Sequence, residues 1–399
     1  MPHRPLPTSA TLTALAAATL LLLTTPATAA ATWQITPTPN PSNGVNRFNG
    51  LTARTPTDAW AVGSFTGPDG DEDGQQMLTA RWNGTQWQQV PAPAVLRQDE
   101  VLNAAAATAA NDAWAVGVTR NLNAAARSPL ATHWNGTTWT IVAIPNTTGS
   151  AKSMLNGVAA LTPTNAWAVG RGKDAHALIE HWDGTTWTIT PTPTPTPPPG
   201  WTFTGATLNA VTARTSTDIW AVGSFTSLQN TTSRTRTLAL HYNGTTWQIT
   251  PTPTTAIDTD LTATTALAAN DVWTVGTAST INGTTPPDPL VIQHWNGTAW
   301  TTVAHPAVTG GRLKGIAARS SGDIWAVGDF FDNTTTTPTG GTLTLHWDGT
   351  AWTKVASPNG SSGSSLLNAA SATPSDVWAV GFDVLGSNTY RTLALRNTP

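Results

Sequence analysis

The chain has 399 residues, a formal net charge of -3, 10% charged residues, 20 Trp and no Cys. The lack of Cys excludes disulfides, thiolate metal sites and a cysteine nucleophile. The slightly negative charge offers no basic footprint for a nucleic-acid partner or an anionic membrane surface.

Residues 1–31 have the pattern of an export signal. His3 and Arg4 precede an apolar run at 12–23, which is too short to span a bilayer comfortably, and small residues follow near 29–31. This pattern predicts a cleaved signal peptide, no later membrane span and an extracellular, secreted protein. An uncleaved anchor is the alternative.

The stretch ATWQITPTP at 31–39 matches TTWQITPTP at 245–253, although the two lie far apart in the chain. Between and beyond them, a DAWAVG-like word recurs seven times, with its Trp at positions 60, 114, 167, 220, 273, 325 and 378. A second word, such as HWNGTTW, recurs six times, with its final Trp at positions 87, 139, 187, 247, 300 and 352. Trp33 is the missing seventh member of the second series, placed at the start of the chain.

Each repeat contains four short strand patterns, a to d, separated by turn signals, and radial repetition of four-stranded units is typical of a β-propeller. We therefore predict an all-β, seven-bladed β-propeller over residues 32–399, with four antiparallel strands per blade. The N-terminal strand is expected to complete the last blade and close the ring, which leaves no long open edge.

Within a repeat, an acid or Asn begins strand b and a His or Arg lies near the end of strand c. Strands b and c are antiparallel neighbours, so a hydrogen bond between these two side chains is expected in each blade. A metal site would need more ligands per blade than the repeat supplies. The Asn-Gly and Asp-Gly pairs, including Asp183 in HWDGTTW, predict two-residue c–d hairpin turns with positive φ at both residues.

Nineteen Trp belong to the repeated words, and Trp201 does not. Large rings between wedge-shaped blades bury much area, so inter-blade packing is the main interpretation of the nineteen. Sugar-stacking sites are the alternative, because propellers that bind sugars can also repeat their sites.

The a–b and c–d turns, here called the constant face, are nearly identical in all blades. The b–c and d–a loops, called the variable face, differ from blade to blade and form the candidate binding face. In chain order, Asp69, Asp71 and Asp73 have the spacing of a calcium loop, with a solvated acidic loop as the alternative. Trp201 follows a stiff Pro run, and packing against that run is the alternative to ligand binding. Phe330 and Phe331 are expected to begin a loop, either as loop core or as a ligand platform. These three are the candidate ligand-binding residues.

With these repeats, the chain resembles secreted bacterial seven-bladed propellers of the broad kelch and galactose-oxidase-like group. The resemblance covers nearly all of residues 32 to 399 and does not extend to catalytic residues. The kelch Gly-Gly doublet is absent from the repeats, and no Cys is present for a Tyr–Cys copper site. Sugar-binding propeller lectins resemble the chain in Trp content, size and secretion.

These features favour a secreted, non-catalytic, monomeric binding module that recognises carbohydrate or a cell-surface component through the variable face. An extracellular scaffold for protein interactions is the alternative. A glycan-active enzyme is disfavoured, because a hydrolase needs paired carboxylates and Glu72, Glu100 and Glu180 occupy unrelated blade positions. No cofactor is expected other than Ca²⁺.

Overall fold

The computed structural model describes residues 1, 3, 32–66, 74–95, 98–121, 126–145, 153–253, 257–279, 288–332, 339–362, 364–386 and 388–398. Contacts divide the chain into two compact units, Met1–Ala30 and Ala31–Pro399. In the described part of the second unit the chain forms 28 strands and one short 3-10 segment, Lys173–Ala175. No helix in this part is long and apolar enough to cross a membrane.

The strands form seven four-stranded antiparallel sheets, which are the predicted blades. Blade 1 contains β2 (Asn46–Thr55), β3 (Asp58–Thr66), β4 (Gln75–Trp82) and β5 (Trp87–Gln89). Blade 2 contains β6 (Gln98–Ala109), β7 (Asp112–Asn121), β8 (Arg127–Trp134) and β9 (Trp139–Ile141). Blade 3 contains β10 (Met154–Thr162), β11 (Asn165–Arg171), β12 (Ala177–Trp182) and β13 (Trp187–Ile189). Blade 4 contains β14 (Thr202–Thr215), β15 (Asp218–Gln229), β16 (Thr232–Tyr242) and β17 (Trp247–Ile249). Blade 5 contains β18 (Thr259–Ala268), β19 (Asp271–Ala278), β20 (Leu290–Trp295) and β21 (Trp300–Thr302). Blade 6 contains β22 (Gly311–Ser320), β23 (Asp323–Asp332), β24 (Thr339–Trp347) and β25 (Trp352–Val355). Blade 7 contains β26 (Ser365–Ala372), β27 (Val377–Gly386), β28 (Thr389–Thr398) and, from the N-terminal end of the propeller, β1 (Thr32–Thr36).

The closing strand β1 pairs antiparallel with β28 along its whole length, from Thr32 opposite Thr398 to Thr36 opposite Ala394. Strand β1 is therefore strand d of blade 7, as the displaced Trp33 predicts. The ladder hydrogen bonds join the two ends of the propeller, so the outer edge of β28 is covered.

The repeated Trp residues form the core between blades. At six of the seven blade boundaries, the strand-b Trp contacts the aromatic residues of strands c and d in the next blade, as Trp60 contacts Trp134 and Trp139, each at 5.0 Å between ring centroids. At the boundary between blades 6 and 7, Trp325 contacts Trp33 edge to face at 5.2 Å, and Asn397 takes the strand-c position. All seven strand-b Trp and all seven strand-d Trp are buried, which confirms the inter-blade packing.

A belt of polar side chains joins the inner strands around the axial channel. In six blades, a side chain of strand a donates a hydrogen bond of 2.8 to 3.0 Å to a strand-a backbone oxygen of the next blade. The six donors are Asn49, Asn103, Asn156, Asn209, Thr262 and Asn368. Blade 6 differs, because Lys314 Nζ there contacts Asn368 Oδ1 at 3.2 Å instead of the backbone.

Candidate functional site

The recurrent His and acid on the constant face form the predicted pair in every blade. The distance between the His Nε2 or Arg guanidinium nitrogen and the carboxylate or amide oxygen is 2.7 to 3.1 Å. In blade 4, burial alone would raise the pKa of Asp218, but hydrogen bonds from Arg214 and His241 outweigh it and lower that pKa. A carboxylate held in this way by two partners has a structural role. The pair recurs in all seven blades, with Asn165 in place of the acid in blade 3, which makes it part of the scaffold.

The c–d hairpins are confirmed, but the predicted turn type is wrong. Four residues, not two, separate the paired strand ends, as between Trp182 and Trp187, and only the Gly has a positive φ, 98° at Gly184. Asp183 instead accepts hydrogen bonds of 2.8 Å from the backbone N–H groups of Thr185 and Thr186. The bonds from Thr186 N–H and from the Thr185 hydroxyl and N–H lower the pKa of Asp183 to about 2, because they stabilise the carboxylate. Asp183 therefore caps a turn.

The constant and variable faces are at opposite ends of the antiparallel strands. On the constant face the two kinds of turn touch, since Trp82 Nε1 of a c–d hairpin donates to Pro56 O of an a–b turn at 3.0 Å. The b–c and d–a connections lie at the other end of each blade. Of the predicted site residues on that face, Asp69, Asp71 and Asp73 lie outside the described residues, so the calcium loop stays a prediction.

A groove lies on blade 4, along strand β16. It has a volume of about 350 Å³. It is lined by the two Pro-rich connections that follow blades 3 and 4, 195–198 and 250–253, and by Phe225, Arg236 and Leu238 among others. Threonine hydroxyls at 196, 237, 250 and 252 add polar groups to a mostly apolar surface.

Trp201 lies beside this groove and positions Arg236. The Trp201 N–H donates to Pro198 O at 3.1 Å, which ties the residue to the Pro-rich wall. The guanidinium carbon of Arg236 is 4.9 Å from the centroid of the half-buried Trp201 ring. Arg236 also donates to Ser227 Oγ. Stacking and a fixed hydrogen bond hold the guanidinium in the groove wall, so that its remaining N–H donors are available there.

A groove of the same construction occurs on blade 1, lined by Phe65, Gln76, Gln89, Pro91 and Pro93 among others, with a volume of about 350 Å³. The strand registers are equivalent, because Phe65 pairs with Gln76 as Phe225 pairs with Arg236. The blade 1 groove is thus the counterpart of the blade 4 groove, with Gln76 in place of the arginine.

Phe330 occupies the position of these phenylalanines in blade 6. It is half-buried, and Lys354 Nζ lies 4.7 Å from its ring centroid. Phe331 is 54% exposed. Both residues lie inside strand β23 and pair with Gly341 and Gly340, so the expectation that they begin a loop is wrong. Strand pairing simply continues further into the variable face than the sequence pattern indicated.

The structure does not bring the predicted ligand residues together, since Trp201 belongs to blade 4 and Phe330 and Phe331 to blade 6. The sequence reasoning missed Phe225 and Arg236. A signal for Phe225 was present, because WAVGSF occurs at 60–65 and again at 220–225, and WAVGDF at 325–330. The contact of Arg236 with Trp201 had no signal, because it joins two segments that do not recur in the repeats.

No family model and no curated protein matches the chain. Among solved structures, it is similar to YCF48 from Cyanidioschyzon merolae, with 14% identity over 92% of this chain and 98% of that chain and a TM-score of 0.55. It is similar to YCF48 bound to D1 peptide, with 12% identity over 92% and 97% and a TM-score of 0.53. It is also similar to a polysaccharide lyase, the ulvan lyase PL25, with 11% identity over 86% and 90% and a TM-score of 0.57. At these identities the likeness concerns the propeller fold, and the resemblance to the kelch and galactose-oxidase-like group stays a prediction.

Proposed function

We propose that the protein is a secreted, non-catalytic binding module that recognises carbohydrate through its variable face, with the blade 4 groove as its principal site. The observation that carries the proposal is the Arg236 guanidinium, fixed between Trp201 and Ser227 at the wall of an open groove. Carbohydrate recognition combines apolar ring faces with hydroxyl groups that need hydrogen-bond partners. The groove offers both, through Phe225 and the prolines on one hand and Arg236 and the threonine hydroxyls on the other.

The size and number of the grooves agree with this proposal. A volume of about 350 Å³ falls at the lower end of pockets that hold small ligands, which suits one or a few sugar rings. The equivalent groove on blade 1 provides a second site. Two weak sites on one rigid ring can bind a polymer with higher avidity than either site alone.

A partner protein is the second candidate, favoured by the predominance of proline and apolar side chains in the groove walls. An extended peptide could lie between the two Pro-rich connections. Proteins of the same fold include one bound to a peptide and one that is a polysaccharide lyase. Both ligand classes therefore occur on this fold, and the test must separate them.

The test is a glycan and cell-wall polysaccharide array probed with the purified protein and with three variants. Arg236→Ala is expected to weaken binding at least about tenfold, equivalent to about 1.4 kcal/mol. Trp201→Ala is expected to weaken it less, because it releases Arg236 without removing it. Arg234→Ala is the matched control, since Arg234 lies on the same strand but approaches Asp258 at 3.8 Å and does not line the groove.

Equal binding by the protein and the Arg236→Ala variant would move the carbohydrate site away from this groove. A blank array with folded protein would favour the protein-binding scaffold. In that case, a proline-rich peptide library probed with the same three variants is the appropriate second measurement.

A further inference from the structure

A pocket between blades 1 and 2 on the variable face has an unusual excess of positive charge. Its volume is about 220 Å³, and its lining residues are Arg47, Gln75, Asp99, Val101, Val118, Arg120 and Arg127. Among the residues that the structure describes, three guanidinium groups therefore share this pocket with one carboxylate. This contrasts with the chain as a whole, which has a net charge of -3.

The charges of blade 2 lie in a row across three neighbouring strands. Asp99 of β6 is paired in register with Arg120 of β7, and Arg120 is paired with Arg127 of β8. Side chains at paired positions lie on the same face of the sheet and close together, so like charges placed directly opposite destabilise the pair. The Arg120–Arg127 pair therefore lowers the stability of the sheet when no further anion is bound.

Asp99 neutralises only part of this cluster. It forms an ion pair with Arg120 and accepts a hydrogen bond of 2.9 Å from the Gln75 N–H, and it is buried. Both of its oxygens therefore already have partners. The side chain of Arg127 is exposed and has no hydrogen bond or ion pair with another described residue.

Arg47 completes the pocket from blade 1. Its guanidinium donates to Gln75 Oε1 at 2.9 Å and to Ser64 Oγ at 3.3 Å, which are neutral partners. Burial lowers the pKa of Arg47, although an arginine remains charged at neutral pH. The two hydrogen bonds fix the direction of the guanidinium and leave further N–H donors without a carboxylate partner.

We infer that this pocket binds the carboxylate or sulfate group of an acidic saccharide, which rests on the proposed function for the saccharide part of the ligand. Planar guanidinium groups match the oxygen geometry of both anions and can bind them through paired hydrogen bonds. Val101 and Val118 supply an apolar wall against which a sugar ring can pack. The anion would balance the positive charge that Asp99 leaves among the three guanidinium groups.

The experiment measures the affinity of the purified protein for three oligosaccharides of equal length, one neutral, one containing uronate and one sulfated. The acidic ligands are expected to bind at least about tenfold more tightly than the neutral one at low salt. Arg127→Gln should remove that preference and leave the affinity for the neutral ligand unchanged. Arg127 is exposed, so the variant is expected to fold, and its melting temperature verifies this.

Arg234→Gln is the matched control, because it removes one positive charge elsewhere on the variable face. If Arg127→Gln and Arg234→Gln weaken acidic ligands equally, the preference reflects net charge and the inference is overturned. Equal affinity for neutral and acidic ligands overturns it as well. Both results leave the proposed function intact if Arg236→Ala still weakens binding of the neutral oligosaccharide.

The experiment also shows whether the saccharide part of the inference fails while the anion pocket holds. If no oligosaccharide binds, but inorganic sulfate raises the melting temperature of the protein and not that of Arg127→Gln, the anion pocket stands. The saccharide part of the inference and the proposed function are then both overturned.

Discussion

Glu180 is a buried acid that does not belong to the repeated sequence pattern. It lies in strand c of blade 3, is fully buried, and neither carboxyl oxygen has a hydrogen-bond partner among the described residues. Side chains alternate between the two faces of a strand, so Glu180 lies on the same face as Leu178 and Trp182. This face is directed toward blade 2, because Trp182 contacts Trp114 there. Burial raises the pKa of Glu180 to about 8. The same position in the other blades holds Ala80, Thr132, Leu240, Gln293, Leu345 and Leu395.

This carboxyl group should make stability depend on pH. Its folded pKa of about 8 lies above the ordinary value of 4.5, so the native state holds a proton that the unfolded chain has released. The free energy of unfolding should therefore fall as pH rises from about 4.5 to about 8, by at most about 1.4 kcal/mol per unit. Glu180→Gln should remove this slope, and the buried Gln293 indicates that an amide fits at this position.

The measurement is thermal unfolding of the protein and of Glu180→Gln at pH 5, 7 and 9. The variant should gain stability relative to the protein at each step. Burial also raises the pKa of Glu100, to about 7, but Glu100 is present in both proteins and its effect cancels in the comparison. Parallel pH profiles would mean that Glu180 is solvated or paired in solution.

For single residues, the predictions agree with the structure where a residue recurs in the repeats and differ from it where the residue occurs once. The His–Asp pair was predictable, because seven copies fix which strand ends must meet. The Asp183 turn was assigned the wrong type, since Asn-Gly and Asp-Gly fit several hairpins and the choice depends on hydrogen bonds to Thr185 and Thr186. The contact of Trp201 with Arg236 depends on unique segments, for which one sequence gives no spatial information.

At the scale of the strand, the polar belt around the channel joins each blade to the next. Asn156 Nδ2 donates to Leu208 O at 3.0 Å, and a hydrogen bond of this kind contributes about 1 kcal/mol. Asn156→Ala should therefore lower the free energy of unfolding by about that amount, measured by urea denaturation. Lys314→Asn is the comparison, because it introduces the majority residue into the one blade that departs from the belt.

Lys314→Asn should cost less than Asn156→Ala. A new bond to the blade 7 backbone would offset the loss of the 3.4 Å ion pair between Lys314 and Asp329, and Arg312 continues to pair with Asp329. If both variants unfold at the same urea concentration as the parent protein, the belt has no effect on stability. The belt would then serve only to line the channel.

Strand lengths were the least predictable feature at this scale. The repeated words locate the centre of each strand, where apolar alternation is regular. Strands β15 and β16 extend well beyond those words, to Gln229 and from Thr232, through Thr, Ser and Arg residues without an apolar pattern. This polar extension of blade 4 carries Arg236, so the same reasoning that recovered the fold did not recover the groove.

At the scale of the whole molecule, closure of the ring was predictable from one displaced strand. Seven copies of one word and six of the other required the missing copy at 31–39, and a propeller has only one place for it. Strand β1 occupies that place beside β28. The ligand was not predictable in this way, because the repeats describe the scaffold and the variable face is what the repeats leave out.

Closure by β1 predicts that removal of residues 32–36 destabilises the whole propeller. The deletion leaves the edge of β28 unpaired and removes Trp33, which is 5% exposed and packs edge to face on Trp325. Loss of a buried Trp alone costs about 3–5 kcal/mol, and the lost strand pairing adds to it. The truncated protein should melt at a lower temperature and over a broader range, followed by circular dichroism.

Trp33→Ala in the full chain separates the two contributions. It removes the ring but keeps the strand, so its melting temperature should fall between those of the parent and the truncated protein, with a cooperative transition. Each repeat of such an array is stabilised by its interfaces with its two neighbours, so loss of the closing strand weakens the interface between blades 6 and 7, where Trp33 packs on Trp325. If the truncated protein and Trp33→Ala melt at the same temperature with equal cooperativity, the side chain alone accounts for the stability, and strand pairing at the closure contributes nothing to the cooperative unit.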